Sequence, residues 1–234
     1  MNEGTGRRQQ HRQEMLAEIV ATTRDIVVAD GPGAVTIAAV AGRIGVTPPA
    51  LYRYADGREG LLGLAREAVA EELTNELLKA QESAGDSPAE QVVAVCRQLR
   101  DWALRHRAEF GLLFGMLTAL PSDQHSAAMR LARIFEEGVL RQFAARPFPV
   151  PADEDLPERL RTGLSAYRER LLVRASEAGI PLTSLSVAAT AALLDYWTRV
   201  YGLISMEVYG QLAHAVHDGA PLLDAVLAQL TGSD

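Results

Sequence analysis

Apolar residues recur at intervals of three and four along most of this chain, the spacing that places them on one face of an α-helix. No alternation of period two reaches a useful length, so the pattern predicts an all-α fold. Glycine and proline clusters separate the helical stretches, because glycine caps a helix and proline cannot continue one. The predicted helices are 13–29, 36–44, 47–54, 58–83, 88–106, 109–120, 122–145, 156–178, 182–208 and 220–230.

Two short predicted helices, 36–44 and 47–54, are joined by a tight turn at Gly45. A threonine precedes each of them as an N-cap, and the second opens on Pro48 and Pro49, where missing N–H groups cost little. This arrangement is typical of a helix-turn-helix, whose second helix offers its outer positions to a DNA major groove. Taken alone, the pattern also fits a helical hairpin packed inside a core.

The segment TIAAVAGRIGVTPPALYRYADGREGLL (36–62) resembles the DNA-binding signature of the TetR family of transcriptional regulators. That signature has a helix-opening threonine, an apolar-Ala pair, Gly-Val-Ser/Thr, a Leu-Tyr-x-His/Tyr-Phe run and Lys-Glu-x-Leu. The matching residues are Thr36, Val40-Ala41, Gly45-Val46-Thr47, Leu51-Tyr52-Arg53-Tyr54 and Arg58-Glu59-Gly60-Leu61. Ala55 stands where the family places a Phe that packs the recognition helix on the fourth helix. Tyr54 or Leu62 is expected to fill that contact.

The resemblance implies a DNA-binding regulator in which some residues hold phosphates and others face the groove. The implied phosphate contacts are Thr36, Thr47, Tyr54 and Arg58. The implied groove residues are Pro48, Pro49, Tyr52 and Arg53, with Arg43 near the edge. Hydroxyls and guanidinium groups donate to phosphate and fix the register, while contacts to base edges carry specificity. The alternative for Tyr52 and Tyr54 is that they are ordinary packing residues.

We divide the chain into a flexible basic arm (1–12), a helix-turn-helix domain (13–58) and a larger helical ligand-binding and dimerisation domain (59–234). In the last of these, Trp197 to Gly202 resembles the Trp-x-x-x-His-Gly element of one class of TetR C-terminal domains, with Tyr201 in place of the histidine. The resemblance implies a small-molecule effector, apolar or aromatic, that releases a repressor from a palindromic operator. The candidate pocket wall is Trp102, Phe110, Phe114, Met116, Met129, Phe135, Tyr167, Trp197 and Tyr201, for each of which ordinary core packing is the alternative.

The net charge of −7 is unusual for a DNA-binding protein, so its distribution matters. Residues 1–60 carry seven arginines and seven acidic residues, and the remaining residues therefore hold the whole excess. The segment 34–58 contains three arginines and a single acidic residue, Asp56. An acidic body with a locally positive N-terminal module is compatible with docking on phosphates.

Other chemistry finds little support in the sequence. His214 and His217 stand three apart beside Asp218, but no third strong ligand is near, so we predict no metal site and no cofactor. No nucleophile has a supporting base, and we predict no catalytic residues. The competing hypothesis is an all-α ligand carrier or enzyme in which 34–58 is only a core hairpin. Exposure of Tyr52 separates the two, since a core hairpin would bury it.

The predicted helix 182–208 is apolar nearly all round, which requires burial on both sides. We therefore expect a twofold homodimer built from 182–208 and 220–230, with small residues allowing close approach. The proposed close-contact residues are Ala188, Ala191, Ala192, Gly202 and Ser205, paired with Leu222, Leu223, Val226, Leu227 and Leu230. The single Cys96 and the absence of a long apolar run in the given sequence suggest a cytoplasmic protein with no membrane partner.

Overall fold

The computed structural model describes residues 3–115 and 127–232, and within these ranges it contains helices and no strand. The all-α prediction is confirmed. The helices are α1 (Glu3–Asp30), α2 (Ile37–Ile44), α3 (Pro48–Leu51), α4 (Gly57–Ser83), α5 (Pro88–Arg105), α6 (Arg107–Phe110), α7 (Ala127–Ala145), α8 (Glu158–Glu177), α9 (Val187–Val208) and α10 (Ala220–Thr231). No helix in the described ranges is long and apolar enough to cross a membrane.

The chain folds as two compact units that do not follow the predicted boundary at residue 58. The first unit contains the described residues of Met1–Glu72 and His106–Met129, and the second contains those of Leu73–Arg105 and Arg130–Asp234. Helix α4 therefore contributes to both units. Helix α6 returns to the first unit because it packs on α1.

An apolar cluster forms the core of the first unit, and it contains the stripes that the sequence predicted for α1 and α2. Its members are buried and come from every helix of the unit's N-terminal part, with Leu112 added from the segment after α6. They are Ile19, Ile26, Val27, Val35, Ile37, Val40, Ala41, Leu51, Ala55, Leu61, Leu62, Ala65 and Leu112.

Helix α1 begins at Glu3, well before the predicted start at residue 13. The arginines of the expected flexible arm therefore stand on a helix, which corrects that expectation. The segment consists largely of arginine and glutamine, which are good helix formers, and it lacks proline and β-branched residues beyond Thr5. Gln10 also donates to the Glu14 carboxylate one turn later, at 3.0 Å.

Arg100 of α5 organises one end of the second unit. Its guanidinium donates to the Glu207 carboxylate of α9 at 2.7 Å and to Asp218 at 2.6 Å. Glu207 also accepts from the Gly219 amide at 3.0 Å, at the start of α10. The hydrogen bonds from Arg100 hold the pKa of Glu207 below its ordinary value. This ion-pair network joins α5 and α9 to the N-terminus of α10.

Helix α9 starts at Val187, later than the predicted Leu182, because two side chains cap it there. The Ser186 hydroxyl accepts from the Ala189 amide at 3.0 Å. The Asp153 carboxylate, from the proline-rich loop, accepts from the amides of Val187 and Ala188 at 3.2 and 2.8 Å. Capping satisfies amides that the first helical turn leaves without partners. Asp153 therefore has a structural role at the start of α9.

Candidate nucleic-acid interface

The turn between α2 and α3 is tight because Gly45 adopts a left-handed conformation, with φ of +74°. The Val46 amide then donates to the Ala41 carbonyl at 3.0 Å, which closes the end of α2. A residue with a Cβ would be strained at this φ. The chain resumes a helix at Pro48, and so the helix-turn-helix predicted from the sequence is present in the structure.

The two threonines at the helix starts differ in what their hydroxyls do. Thr36 caps α2, since its hydroxyl oxygen accepts from the Ala39 amide at 3.0 Å. Thr47 makes no such bond. Pro48 and Pro49 have no N–H, and the Ala50 amide already donates to the Thr47 carbonyl at 2.9 Å. The expectation that the Thr47 side chain caps α3 is therefore wrong, and its exposed hydroxyl remains available to an external acceptor.

Helix α3 is shorter than predicted, ending at Leu51 rather than near Tyr54. The amides of Arg53 and Tyr54 donate three residues back, to Ala50 and Leu51, which tightens the last turn. Leu51 is fully buried and anchors the short helix in the core cluster. The turn leaves Tyr52 58% exposed and Arg53 exposed.

Most of the residues implied as DNA contacts lie on the surface. The exposed ones are Thr36, Arg43, Thr47, Pro48, Pro49, Tyr52 and Arg53. Tyr54 and Arg58 are only partly exposed, and Tyr54 packs against the apolar cluster. The structure thus keeps the Thr47 hydroxyl before α3, and the Tyr52 ring and Arg53 guanidinium after it, in solvent.

The three arginines near the helix-turn-helix are engaged to different degrees. Arg43 forms a long, exposed ion pair with Asp30 at 3.4 Å, a kind of contact that contributes little to stability. Arg58 donates to Glu59 at 2.6 Å and to the Pro32 carbonyl at 2.9 Å, so its guanidinium is already occupied. Arg53 forms no ion pair with any residue that the structure describes. Arg53 is accordingly the cation of this surface best placed to bind an external anion.

The position of Ala55 is explained by a close approach of α4. Ala55 is 5% exposed, and a Cβ added to Gly60 would lie 3.2 Å from the Ala55 carbonyl carbon. The small residue at 55 thus pairs with a glycine at 60, which lets the two segments come together without the aromatic ring of the family pattern. Leu62 is fully buried in the apolar cluster, and Tyr54 is partly buried and packs against that cluster.

We expect Gly60→Ala and Gly63→Ala to have opposite effects on stability, although both lie in α4. Nothing lies within 4 Å of a Cβ at Gly63, so alanine there should raise the free energy of unfolding by up to about 1 kcal/mol through helix propensity. At Gly60 the tight contact with Ala55 should outweigh that gain and lower it by about 1 kcal/mol. Urea unfolding measures both, and equal changes would show that the close approach carries no energetic weight.

An ion-pair network around one buried carboxylate, which sequence reasoning missed, lies in the first unit. Arg24 of α1 donates from Nε to Glu109 of α6 at 2.8 Å, and from its terminal nitrogens to Glu72 of α4 at 2.6 and 2.8 Å. The Glu109 side chain is only 6% exposed, and His106 Nδ1 lies 2.8 Å from its second oxygen. The signal in the sequence was an acidic residue at the start of an otherwise apolar helix. Arg24 itself could not be identified as its partner across 85 positions.

The nine candidate pocket residues fall in different units. Phe110 and Phe114 belong to the first unit, with ring centroids 4.8 Å apart. Met129 is partly buried on α7, and Met116 lies outside the described residues. In the second unit Trp102 is 2% exposed, and Trp197 joins Phe135 and Tyr201 at centroid distances of 4.7 and 5.7 Å. Burial raises the pKa of the Tyr167 phenol to about 12, so the group stays a neutral donor to Glu136.

His214 and His217 are both exposed in the segment between α9 and α10, and their neighbour Asp218 is committed to Arg100. Among the residues that the structure describes, no group of three or more histidine, cysteine or acidic side chains could hold a metal ion. Cys96 is buried, and burial raises the pKa of its thiol to about 12, which makes it a poor nucleophile.

A tight helix-turn-helix with an exposed second helix, set in an all-α chain, defines a DNA-binding regulator of transcription. Two family models match the chain: "Bacterial regulatory proteins, tetR family" over residues 19–65, and "Tetracyclin repressor-like, C-terminal domain" over residues 92–230. The chain belongs to the TetR family of transcriptional regulators. The family resemblance inferred from residues 36–62 is thereby confirmed.

Individual relatives agree with this assignment over nearly the whole chain. The HTH-type transcriptional regulator Rv1816 of Mycobacterium tuberculosis is 26% identical over 94% of this chain and 92% of its own length. The crystal structure of SCO4313 superposes with a TM-score of 0.68, at 24% identity, covering 96% of this chain and 98% of that one. A structure of RolR in complex with resorcinol has a TM-score of 0.51 at 19% identity, with 96% and 90% covered. These structures show the fold that the chain shares.

Proposed function

We propose that the protein is a ligand-responsive repressor that leaves a palindromic operator when a small molecule binds. The observation that carries the DNA-binding part is the 58% exposure of Tyr52 beside Arg53, which has no ion-pair partner in residues 3–115 and 127–232. The competing hypothesis, a core hairpin in a carrier or an enzyme, requires Tyr52 to be buried. A large aromatic ring held in solvent next to a cation instead suits a surface that a DNA duplex covers.

The DNA contacts in this proposal follow from which hydrogen-bonding groups of each side chain are not already used within the protein. Thr36 and Thr47 present hydroxyls at helix N-termini, where the helix dipole also favours a phosphate. Tyr52 and Arg53, with Pro48 and Pro49, face the major groove, and Arg43 stands near its edge. Tyr54 contributes its hydroxyl from a ring that packs on the core. Arg58 reaches a phosphate only by exchanging its bond to Glu59, so we give it a weaker role.

The effector side of the proposal rests on the second unit. Rings from α7 and α9 form a group of Phe135, Trp197 and Tyr201, of which Trp197 and Tyr201 are partly exposed. Aromatic side chains of this kind are usual walls of small-molecule sites. RolR, whose structure holds resorcinol, shares this fold. We therefore place an apolar or aromatic effector against these rings.

Coupling between effector binding and DNA binding needs an element whose arrangement differs between the effector-bound and the DNA-bound state. The described chain passes between the two units within α4, between α5 and α6, and at Met129 in α7. In the first unit, Arg24 holds α4 through Glu72 and α6 through Glu109. We propose that effector binding acts through these two helices on α1 and so on the helix-turn-helix.

For the homodimer we propose α8 and α9 rather than the predicted pairing of 182–208 with 220–230. Four of the five apolar residues named on the last helix are buried within their own unit, with at most 7% exposure, and only Leu222 is exposed. The apolar stripe of α10 is thus already covered. Large apolar side chains remain exposed on these helices instead: Val173 on α8 and Met206 on α9. Gly163 and Gly202, which have nothing within 4 Å of a Cβ position, would allow close approach of a second copy.

The test of DNA binding uses a duplex from upstream of the protein's own gene in a mobility-shift and footprinting assay. We expect a protected palindrome, and weaker binding by Tyr52→Ala and Thr47→Ala. Each lost phosphate contact should reduce the slope of log affinity against log salt by about one unit. Val28→Ala, an exposed residue of α1, is the matched control and should bind as the wild type does. Unchanged affinity of both variants across a salt titration would contradict the proposed interface.

A further inference from the structure

Two arginines occupy the inward-facing stripe of α8. Arg161 and Arg168 are seven residues apart, so they lie on one face of the helix. They share that face with Leu164, Leu171 and Ala175, which are 6%, 1% and 0% exposed. Such a stripe is ordinarily apolar, because it packs against the rest of the domain.

Neither arginine has a partner among the residues that the structure describes. The Nε–H groups of both are buried and donate to no described residue, and no ion pair with a described residue reaches either guanidinium, although both side chains are partly exposed. Other arginines of α7 and α8 do have partners: Arg174 pairs with Glu136 at 3.0 Å, and Arg133 pairs with Glu137 at 3.3 Å. Burying an N–H without an acceptor costs free energy, so two guanidinium groups that each have such an N–H on one face of a helix are suited to bind an anion.

The charge of α8 points in the same direction. The helix contains five arginines and three glutamates, within a chain whose net charge is −7. The nearby acidic residues of α7 are already engaged, because Glu136 faces Arg174 and Glu137 accepts from both Arg133 and Arg141. The described part of the second unit therefore offers Arg161 and Arg168 no counter-ion from α7.

The surroundings of the two arginines suit a small amphipathic molecule better than a second subunit. The exposed residues Gly163, Ala166 and Val173 lie on the opposite side of α8, where a partner chain would pack. The inward side faces the rest of the unit: α8 packs along α9 and is tied to α7 through the Arg174–Glu136 pair. The same two helices carry the contact between Phe135 and Trp197.

We propose that Arg161 and Arg168 bind the carboxylate of the effector, which makes the effector an amphipathic carboxylic acid rather than a neutral molecule. The inference rests on the proposed function, since it specifies the ligand of the same unit. A guanidinium group matches a carboxylate with two parallel N–H···O bonds, and two such groups could hold both oxygens. The apolar part of the acid would then lie against the aromatic side chains of α7 and α9.

The experiment compares acids with alcohols of the same shape on the full-length protein, by calorimetric titration. The probes are octanoate against octanol, and 2-naphthoate against 2-naphthol. We expect the acid of at least one pair to bind at least ~10-fold more tightly than its alcohol, because hydrogen bonds to charged groups are the strong ones. In the Arg161→Met/Arg168→Met variant the preference should vanish. Arg159→Met, at an exposed arginine of the same helix, should keep it.

Thermal unfolding of the ligand-free protein supplies a second readout. Because each wild-type arginine has a buried Nε–H without an acceptor among the described residues, the double methionine variant should have a higher unfolding midpoint, while acids no longer raise it further. A lower midpoint, with dissociation into monomers on sedimentation, would show that the arginines pair across the dimer and would overturn the proposal. Failure of all four probes to bind, or equal binding of acid and alcohol in each pair, would also overturn it. Operator binding is measured separately, so failure of the DNA-binding proposal is distinguishable from failure of this one.

Discussion

Glu109→Ala should destabilise the first unit by up to about 3 kcal/mol, because it removes the least exposed partner of the partly buried Arg24 guanidinium. For a chain of this size that loss lowers the unfolding midpoint by roughly 6–12 °C. Operator affinity should fall with it, since the network fixes α6 and α4 on α1, which packs against the helix-turn-helix. Urea unfolding followed by circular dichroism gives the free energy, and fluorescence anisotropy gives the DNA affinity.

The matched control removes the other carboxylate on the same arginine. Glu72 also binds Arg24, but its side chain is 57% exposed, so solvent screens the pair and replaces the lost contact. Glu72→Ala should therefore cost less than about 1 kcal/mol. If the two variants lost similar stability, burial of Glu109 would not be the source of the effect, and the coupling role we give α6 would lose its basis.

Val173→Glu should convert the dimer to a monomer and abolish operator binding. Val173 is 58% exposed on α8, so a charge there leaves the protomer intact but would be buried between subunits. Two linked recognition helices gain about 10²–10⁴ in affinity over one, and a monomer forfeits that gain. Sedimentation velocity at micromolar concentration reports the association state, and a palindromic duplex reports the binding.

Leu222→Glu is the matched control. Leu222, like Val173, is an exposed aliphatic residue (42% exposed), but it lies on α10. We expect this variant to remain a dimer. A monomeric Leu222→Glu together with a dimeric Val173→Glu would restore the pairing first predicted from the sequence and reject α8. A clean monomer for the wild type, on and off DNA, would reject the homodimer itself.

The local features of the helix-turn-helix could be predicted from the sequence because neighbouring residues determine them. The stripe of Ile37, Val40 and Ala41 and the turn at Gly45 are set within a few residues, and both are present. The sequence also contains the reason why Thr47 does not cap α3. The two prolines that follow it have no N–H to donate to its hydroxyl. The early start of α1 was missed because polar helix formers give no hydrophobic period.

Contacts between distant segments could not be predicted in the same way. Arg24 and Glu109 are both ordinary polar residues in the sequence, and only folding brings them together. The apolar residues of α10 looked available for a partner, because periodicity shows that a face is buried but not by what. Burial within the protomer decided that question. The burial of Leu164 and Leu171 likewise shows which side of α8 Arg161 and Arg168 lie on.

The discontinuous make-up of the first unit limits how this regulator can be recombined with others. Leu112, fully buried in the core beside α1, α2 and α4, enters from a segment that follows α5 by only a few residues. A chimaera that grafts only residues 1–72 onto a foreign sensor would leave that site to whatever side chain the new sequence supplies, and Arg24 would lose Glu109. The transferable DNA-binding unit therefore consists of two separate segments of the chain. Exchange of operator specificity requires residues 106–115 to be transferred together with the N-terminal helices.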